Sequence, residues 1–172
     1  MKIVEIFGEN YRGKWVRSRT ACRGVVTEDG RLLLSHESAT GQWMIPGGGL
    51  EDGESERECC IREVAEETGL LIRASECVLE IDEYYESDRY VSLYFFGTVT
   101  GSADMKLTAS ERLAGMEPRW LPAGEALEIF SRHADCAGTD EMRRGLYLRE
   151  YTALRELLTE SESIAGSAEG DN

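Results

Sequence analysis

The sequence predicts an α/β fold, an α/β/α sandwich in which a mixed, curved β-sheet lies between helices. Three observations predict it. Strand-like and helix-like segments are interspersed along the chain, not gathered into separate halves. An Asp-Gly pair, Asp29–Gly30, joins two apolar runs, the strongest short-range signal for a β-hairpin. A glycine triplet, Gly47–Gly49, feeds a capped helix that is followed by two long β-rich runs. With 172 residues, 41% of them apolar, there is material for one core. A single domain is therefore expected over 1–160, with the polar stretch 161–172 as a disordered tail.

Taken in order, Ile3 to Phe7 reads as a short strand before a polar run. Arg19 to Thr27 and Arg31 to Ser35 form the hairpin, and Trp43 to Ile45 is a short strand stopped by Pro46. Ser55 and Glu58 make a capping box and Gly69 supplies the stop, so a helix is expected over 56–68. At about 100° per residue, Ile61, Val64, Ala65 and Thr68 share a core-facing arc, while Glu56, Glu63, Glu66 and Glu67 cluster nearly opposite. Leu70 to Tyr85 and Asp88 to Thr100 read as paired strands, the second rich in aromatic and β-branched residues. The polar Met105 to Glu117 reads as an irregular functional loop, and Arg119 to Leu121 as a short strand. Ala123 to His133 is a helix. Thr139 or Asp140 caps another, with Tyr147, Tyr151, Leu154 and Leu158 as its apolar stripe.

Composition narrows the function. A net charge of −14 with no Lys/Arg run argues against nucleic acid as a partner. No apolar stretch is long enough for a membrane span, and MKIVEIFGENYRGKW lacks a signal-peptide apolar region, so a soluble, cytoplasmic protein is expected. The five cysteines are odd in number, with no CxxC spacing, and indicate neither a disulfide framework nor zinc. Cys60 is expected at the edge of the core and Cys59 near the acidic face.

The acidic face of the helix carries the chemistry. Carboxylates at i, i+3 and i+4 repel one another, and a hard divalent cation compensates: Mg²⁺ takes one or two protein carboxylates and shares the rest of its shell with water and substrate phosphates. A solvated surface face is the alternative on composition alone. The spacing bears on that choice. Gly48, five residues, Glu54, seven residues, then Arg62, Glu63, Val64, any residue, Glu66, Glu67, any residue, Gly69 and Leu70 resembles the Nudix box of the Nudix hydrolases at every fixed position.

That resemblance, extending over roughly residues 18 to 133, implies the same α/β/α arrangement and hydrolysis of a phosphoanhydride with Mg²⁺ or Mn²⁺. It implies Glu63, Glu66 and Glu67 as metal ligands, joined by the backbone carbonyl of Gly48, and Arg62 with Glu54 as the pair that buttresses loop against helix. The catalytic set expected from it is Glu63, Arg62, Glu54 and a proton acceptor in the later loop, Glu111 in preference to Glu117. Arg23, Trp43 and Tyr85 are the expected substrate contacts, with core packing or a solvent-facing position as the alternative for each. The expected substrate is a small-molecule nucleotide, namely a nucleoside diphosphate linked to another group. A nucleoside triphosphate is the second choice and a non-catalytic nucleotide sensor the third. Oligomeric state stays open, with a homodimer among the states the resemblance allows.

Overall fold

A computed structural model describes residues 1–166, with side chains through Leu158. Its strands are β1 (Lys2–Phe7), β2 (Arg17–Glu28), β3 (Arg31–Glu37), β4 (Gln42–Met44), β5 (Gly47–Gly49), β6 (Leu70–Tyr85), β7 (Asp88–Ser102) and β8 (Met116–Pro122). Its helices are α1 (Glu56–Thr68), α2 (Ala109–Ala114), α3 (Ala123–Ser131) and α4 (Glu141–Gly166), with a 3-10 turn at Arg132–Cys136. The sheet order is β1-β6-β7-β2-β3-β4, with β5 on β2 and β8 on β3. It is mixed: β1 runs parallel to β6 and β2 to β7, while β6 and β7 are antiparallel.

The hairpin at Asp29–Gly30 forms with both turn residues at positive φ, 50° and 72°, as a two-residue turn of matching twist demands. Its arms pair only beside the turn, at Thr27↔Leu32 and Glu28↔Arg31. Further along, β5 occupies that edge of β2, Ala21 to Cys22 to Arg23 facing Gly49 to Gly48 to Gly47. The arms therefore diverge, and β3 leaves with β4 and β8 as a second leaf of the sheet.

Continuous apolar runs in β2, β3 and β7 signal strands buried on both faces. Val25, Leu32, Leu34 and Tyr94 pack with Ala126, Phe130, Tyr147, Leu154 and Leu157 on the α3–α4 side. Their neighbours Val26, Leu33, Leu93 and Phe95 pack with Cys59, Cys60 and Val64 on the α1 side. The period-2 alternation of a strand thus serves two cores, and the sandwich follows.

Several expectations need correction. The segment 105–117 is irregular only through Thr108, which caps α2 with Glu111 closing a capping box, and Met116 already belongs to β8. Glu67 is buried, not exposed on the acidic face, because Cys60, Val64 and Glu67 form one i, i+4, i+7 row. Cys59 is also fully buried, because β5 covers the first turn of α1 and brings the Gly48 carbonyl to 3.6 Å from its thiol. Of the two expected caps of the last helix, Asp140 is the one that accepts from the Arg143 amide at the start of α4. That helix continues to Gly166, through the first half of the expected tail, and the remainder of the tail, 167–172, lies outside the described residues.

Candidate active site

The first turn of α1 is fixed by its capping box. The Ser55 amide donates to Glu58 at 2.8 Å, the Glu58 amide donates back to Ser55 Oγ, and Gly69 ends the helix at φ 71°. A helix anchored at both ends holds Arg62, Glu63, Glu66 and Glu67 in fixed relation to the glycine strand β5 beside it.

Arg62 is the hub. Its Nε and Nη2 donate to the two oxygens of Glu54 at 3.0 and 2.6 Å, a bidentate pair. Nη1 donates to Glu63 at 2.7 Å and to Glu66 at 3.3 Å, and Nη2 also reaches the Gly49 carbonyl at 3.1 Å. One guanidinium thereby ties the loop (Glu54), the glycine strand (Gly49) and two helix carboxylates together. The hydrogen bond from Arg62 holds the Glu54 carboxyl well below its ordinary range, at about 2. Glu54 in turn accepts from the Glu51 amide at 2.8 Å, closing the loop on itself.

Gly48 is dictated by the carboxylate next to it. A Cβ there would lie 2.5 Å from the carboxyl carbon and Oε2 of Glu63, so the Glu63 carboxylate would have to leave its present place.

Glu67 points inward and accepts from Ser35 Oγ at 2.6 Å. Burial raises its pKa from 4.5 to about 8; the Ser35 hydroxyl and Arg23 oppose the shift, and the carboxylates of Glu63 and Glu111 reinforce it. Glu63 is also raised, first by burial and then, against Arg62, by Glu66 and Glu111. Glu111 on α2 thus lies within electrostatic reach of both. Its carboxylate is not free to swing, because it accepts from the Thr108 amide at 2.7 Å. Glu117, the second loop candidate, pairs with Arg119 at 2.5 Å.

This donor set fits a hard divalent cation. All donors are oxygens, burial holds two of the carboxylates at raised pKa, and the Gly48 backbone lies against one of them. Among the described residues, no three His, Cys, Asp or Glu side chains close around one point.

A cleft of about 250 Å³ opens beside Gly48 and Gly49, lined also by Arg19, Arg23, Ser92 and Arg149. Arg23 is not solvent-facing: it donates to Ser92 and the Ile45 carbonyl and lies 3.7 Å from the buried Glu150. Tyr85 lines a larger trough next to the cleft, whereas Trp43 packs on the core, stacks on His36 at 4.0 Å and donates its amide to the Tyr147 hydroxyl. Sequence reasoning brought Arg23, Arg62, Gly48 and the glutamates to one region. It missed Ser35, and it missed the buried group of Glu83, Arg149, Glu150 and Tyr94 behind the cleft. A signal for the latter existed, since Glu150 lies three residues after Tyr147 and four before Leu154, on the apolar stripe of α4.

The sequence profile of the NUDIX domain matches residues 17–139. An RNA pyrophosphohydrolase of Dinoroseobacter shibae is 37% identical over 126 residues, which cover 62% of this chain and 79% of that protein. A putative 8-oxo-dGTP diphosphatase of Bacillus subtilis is 31% identical over 108 residues, covering 62% of this chain and 66% of that one. The solved structure of a NUDIX hydrolase from Nitrosomonas europaea shares the fold, with a TM-score of 0.54 at 24% identity over 78% of this chain and 88% of that one.

Proposed function

The chain belongs to the NUDIX family and is a Nudix hydrolase, and from that premise we propose that it cleaves the phosphoanhydride of a nucleoside diphosphate linked to another group, by attack of water at phosphorus. The observation that carries this reading is the continuity of the site. Gly48, which lies against the Glu63 carboxyl, also lines a cleft with Arg19 and Arg23, and the cleft shares Tyr90 and Arg149 with a trough of about 480 Å³. A pyrophosphate needs the first two, and a nucleoside fits the volume of the third.

Glu63, Glu66 and Glu67, with the Gly48 carbonyl, would hold Mg²⁺ or Mn²⁺, which when bound neutralises phosphate charge and lowers the pKa of coordinated water. The chain's own residues do the positioning. Arg62 fixes Glu63 and Glu66 while anchoring the loop through Glu54 and Gly49, and Ser35 fixes Glu67. Arg19 and Arg23 face the phosphates from the cleft wall. Glu111, pinned by the Thr108 amide beside the glutamates, is the residue to take the proton from the attacking water. We place this chemistry in the cytoplasm, since all five cysteines are free thiols.

Two further readings draw on relatives. The Bacillus subtilis protein's name favours a nucleoside triphosphate, and the Dinoroseobacter shibae protein's name favours RNA. The net charge of −14 stands against an RNA chain as ligand. A panel of nucleotide-sugars, dinucleotides, NTPs and 5′-triphosphorylated RNA, each assayed with Mg²⁺ and with Mn²⁺, decides among them. Highest kcat/KM on the first two groups supports the proposal, and highest kcat/KM on NTPs or RNA replaces it.

A further inference from the structure

The trough beyond the cleft is walled by the β6–β7 hairpin on one side and by the first turns of α4 on the other. Its floor and walls are Tyr85, Tyr90, Met142, Gly145, Leu146 and Arg149. Tyr85 and Tyr90 present two rings with centroids 6.5 Å apart, inclined at 53°. Gly145 stands in the interior of α4, where glycine costs a helix up to about 1 kcal/mol relative to alanine. A Cβ at this position would come to 3.1 Å from the Tyr85 hydroxyl, tighter than ordinary contact. The helix thus accepts a weak residue where the wall of the trough needs room.

Arg149 sits where the trough meets the cleft. Its Nη1 donates to Glu83 at 3.3 Å and its Nη2 to Glu150 at 2.8 Å, so both buried carboxylates are matched. Its Nε has no partner, although the residue is only 9% exposed. An unpaired buried donor is costly, and here it belongs to a side chain that lines both cavities. The rim of the trough carries Glu86, Asp88 and Glu141. Arg17 holds Asp88 through two hydrogen bonds of 2.7 and 2.8 Å, and Arg144 holds Glu141 at 2.9 Å. The rim is rich in acceptors and, with those pairs made, has no surplus positive charge for a second phosphate chain.

We propose, building on the nucleotide reading of the site, that this trough is the nucleoside subsite. It takes a base that carries an exocyclic amino group, stacked on Tyr85 and Tyr90 with its N–H edge toward the rim carboxylates, and its sugar-phosphate end lies past Arg149 at the entrance to the cleft. Aromatic faces supply stacking that any base can use. The acceptor rim adds the preference, because adenine, guanine and cytosine offer amino donors and uracil and thymine do not. A polyanionic group in the same place would meet carboxylates and no free cation among the lining residues.

The test is a series of nucleoside diphosphate glucoses that differ only in the base, assayed with Mg²⁺ on the full-length chain, the parent compared with Tyr90→Ala and Gly145→Leu. The expected result is a kcat/KM for the adenine, guanine or cytosine compound at least about tenfold above the uracil and thymine compounds. Each variant should raise KM for the preferred compound about tenfold or more, keep kcat within about threefold, and flatten the ranking. Turnover without a base ranking, or variants that keep the parent's KM, overturns the subsite. If no glucose compound is turned over, equilibrium dialysis of AMP, UMP and ribose 5-phosphate separates the two ideas. AMP binding that is lost in Tyr90→Ala upholds the subsite while the reaction assigned to the enzyme falls. Equal binding of all three, or none, overturns the subsite itself. Tyr90, 38% exposed, is the variant least prone to misfold, and its Tm should stay close to the parent's.

Discussion

Replacing Glu67 by Gln should stabilise the metal-free protein and abolish its activity. Glu67 is 3% exposed and its pKa is raised from 4.5 to about 8, chiefly by burial. A carboxyl whose folded pKa lies above its unfolded one is favoured in the folded state while protonated. The folded state then binds more protons than the unfolded state between about 4.5 and 8, so stability falls as pH rises through that window. The full displacement is worth roughly 5 kcal/mol. In EDTA the parent should therefore lose Tm steadily from pH 5 to pH 8.5. Gln cannot ionise, has nearly the same shape, and keeps a carbonyl oxygen for the Ser35 hydroxyl at the site of the present 2.6 Å bond. Glu67→Gln should match the parent near pH 5 and exceed it by several degrees at pH 8.5. With Mg²⁺ the order reverses, because the parent's carboxylate gains its counter-charge and the amide does not. Turnover should drop by at least about 10³-fold, the scale of losing charge stabilisation worth several kcal/mol. Thermal melts across pH with EDTA and with Mg²⁺, alongside kcat, test all three parts. A Glu67→Gln protein less stable than the parent at pH 8.5 in EDTA, or one with near-parental kcat, refutes the reasoning.

The same cluster yields other expectations. Saturating Mn²⁺ or Mg²⁺ should raise Tm, by an increment of about 2.7 kcal/mol at a hundredfold excess over Kd, and Glu63→Gln with Glu66→Gln should remove most of that rise; a double variant that responds like the parent puts the metal elsewhere. Glu111→Gln should lower kcat by roughly 10² to 10⁴-fold while leaving the metal-induced Tm shift nearly intact, since Gln at that position can still accept from the Thr108 amide; near-parental kcat there, with loss in Glu117→Gln, transfers the role. Arg62→Lys keeps the charge but cannot reach Glu54, Glu63, Glu66 and Gly49 together, and a loss of 10- to 100-fold in metal affinity or kcat is expected, readable by metal titration of Tm and by steady-state rates. Gly48→Ala places a methyl 2.5 Å from the Glu63 carboxyl and should weaken metal binding more than it lowers Tm in EDTA.

What could be read in the chain beforehand was what local chemistry determines. The helix at 56–68 has both its capping signals and its stop within the segment itself, and it forms over Glu56–Thr68. The Asp29–Gly30 turn is likewise local, but the divergence of its arms is not, because it depends on β5 taking the edge of β2. The inward turn of Glu67 lies outside the arc centred on Ile61, Val64, Ala65 and Thr68, because the buried face of α1 is rotated from that arc toward Cys60, Val64 and Glu67. The short helix α2 was legible and overlooked, since Thr108 and Glu111 have the same capping-box spacing as Ser55 and Glu58. Arg149 and Glu150 are different. Their pairing with Glu83 and Tyr94 brings together segments 56 to 66 residues apart, and only the folded sheet shows it.

The most direct test of the central claim is hydrolysis of a nucleotide-sugar in ¹⁸O-labelled water with Mg²⁺, followed by ³¹P NMR and mass spectrometry, with a parallel sample in excess EDTA. The expected products are a nucleoside monophosphate and a sugar phosphate, one of the two carrying a single ¹⁸O on phosphorus, with no products in EDTA. Label on the sugar carbon in place of phosphorus, undiminished turnover in EDTA, or turnover confined to nucleoside triphosphates or 5′-triphosphorylated RNA would contradict that claim.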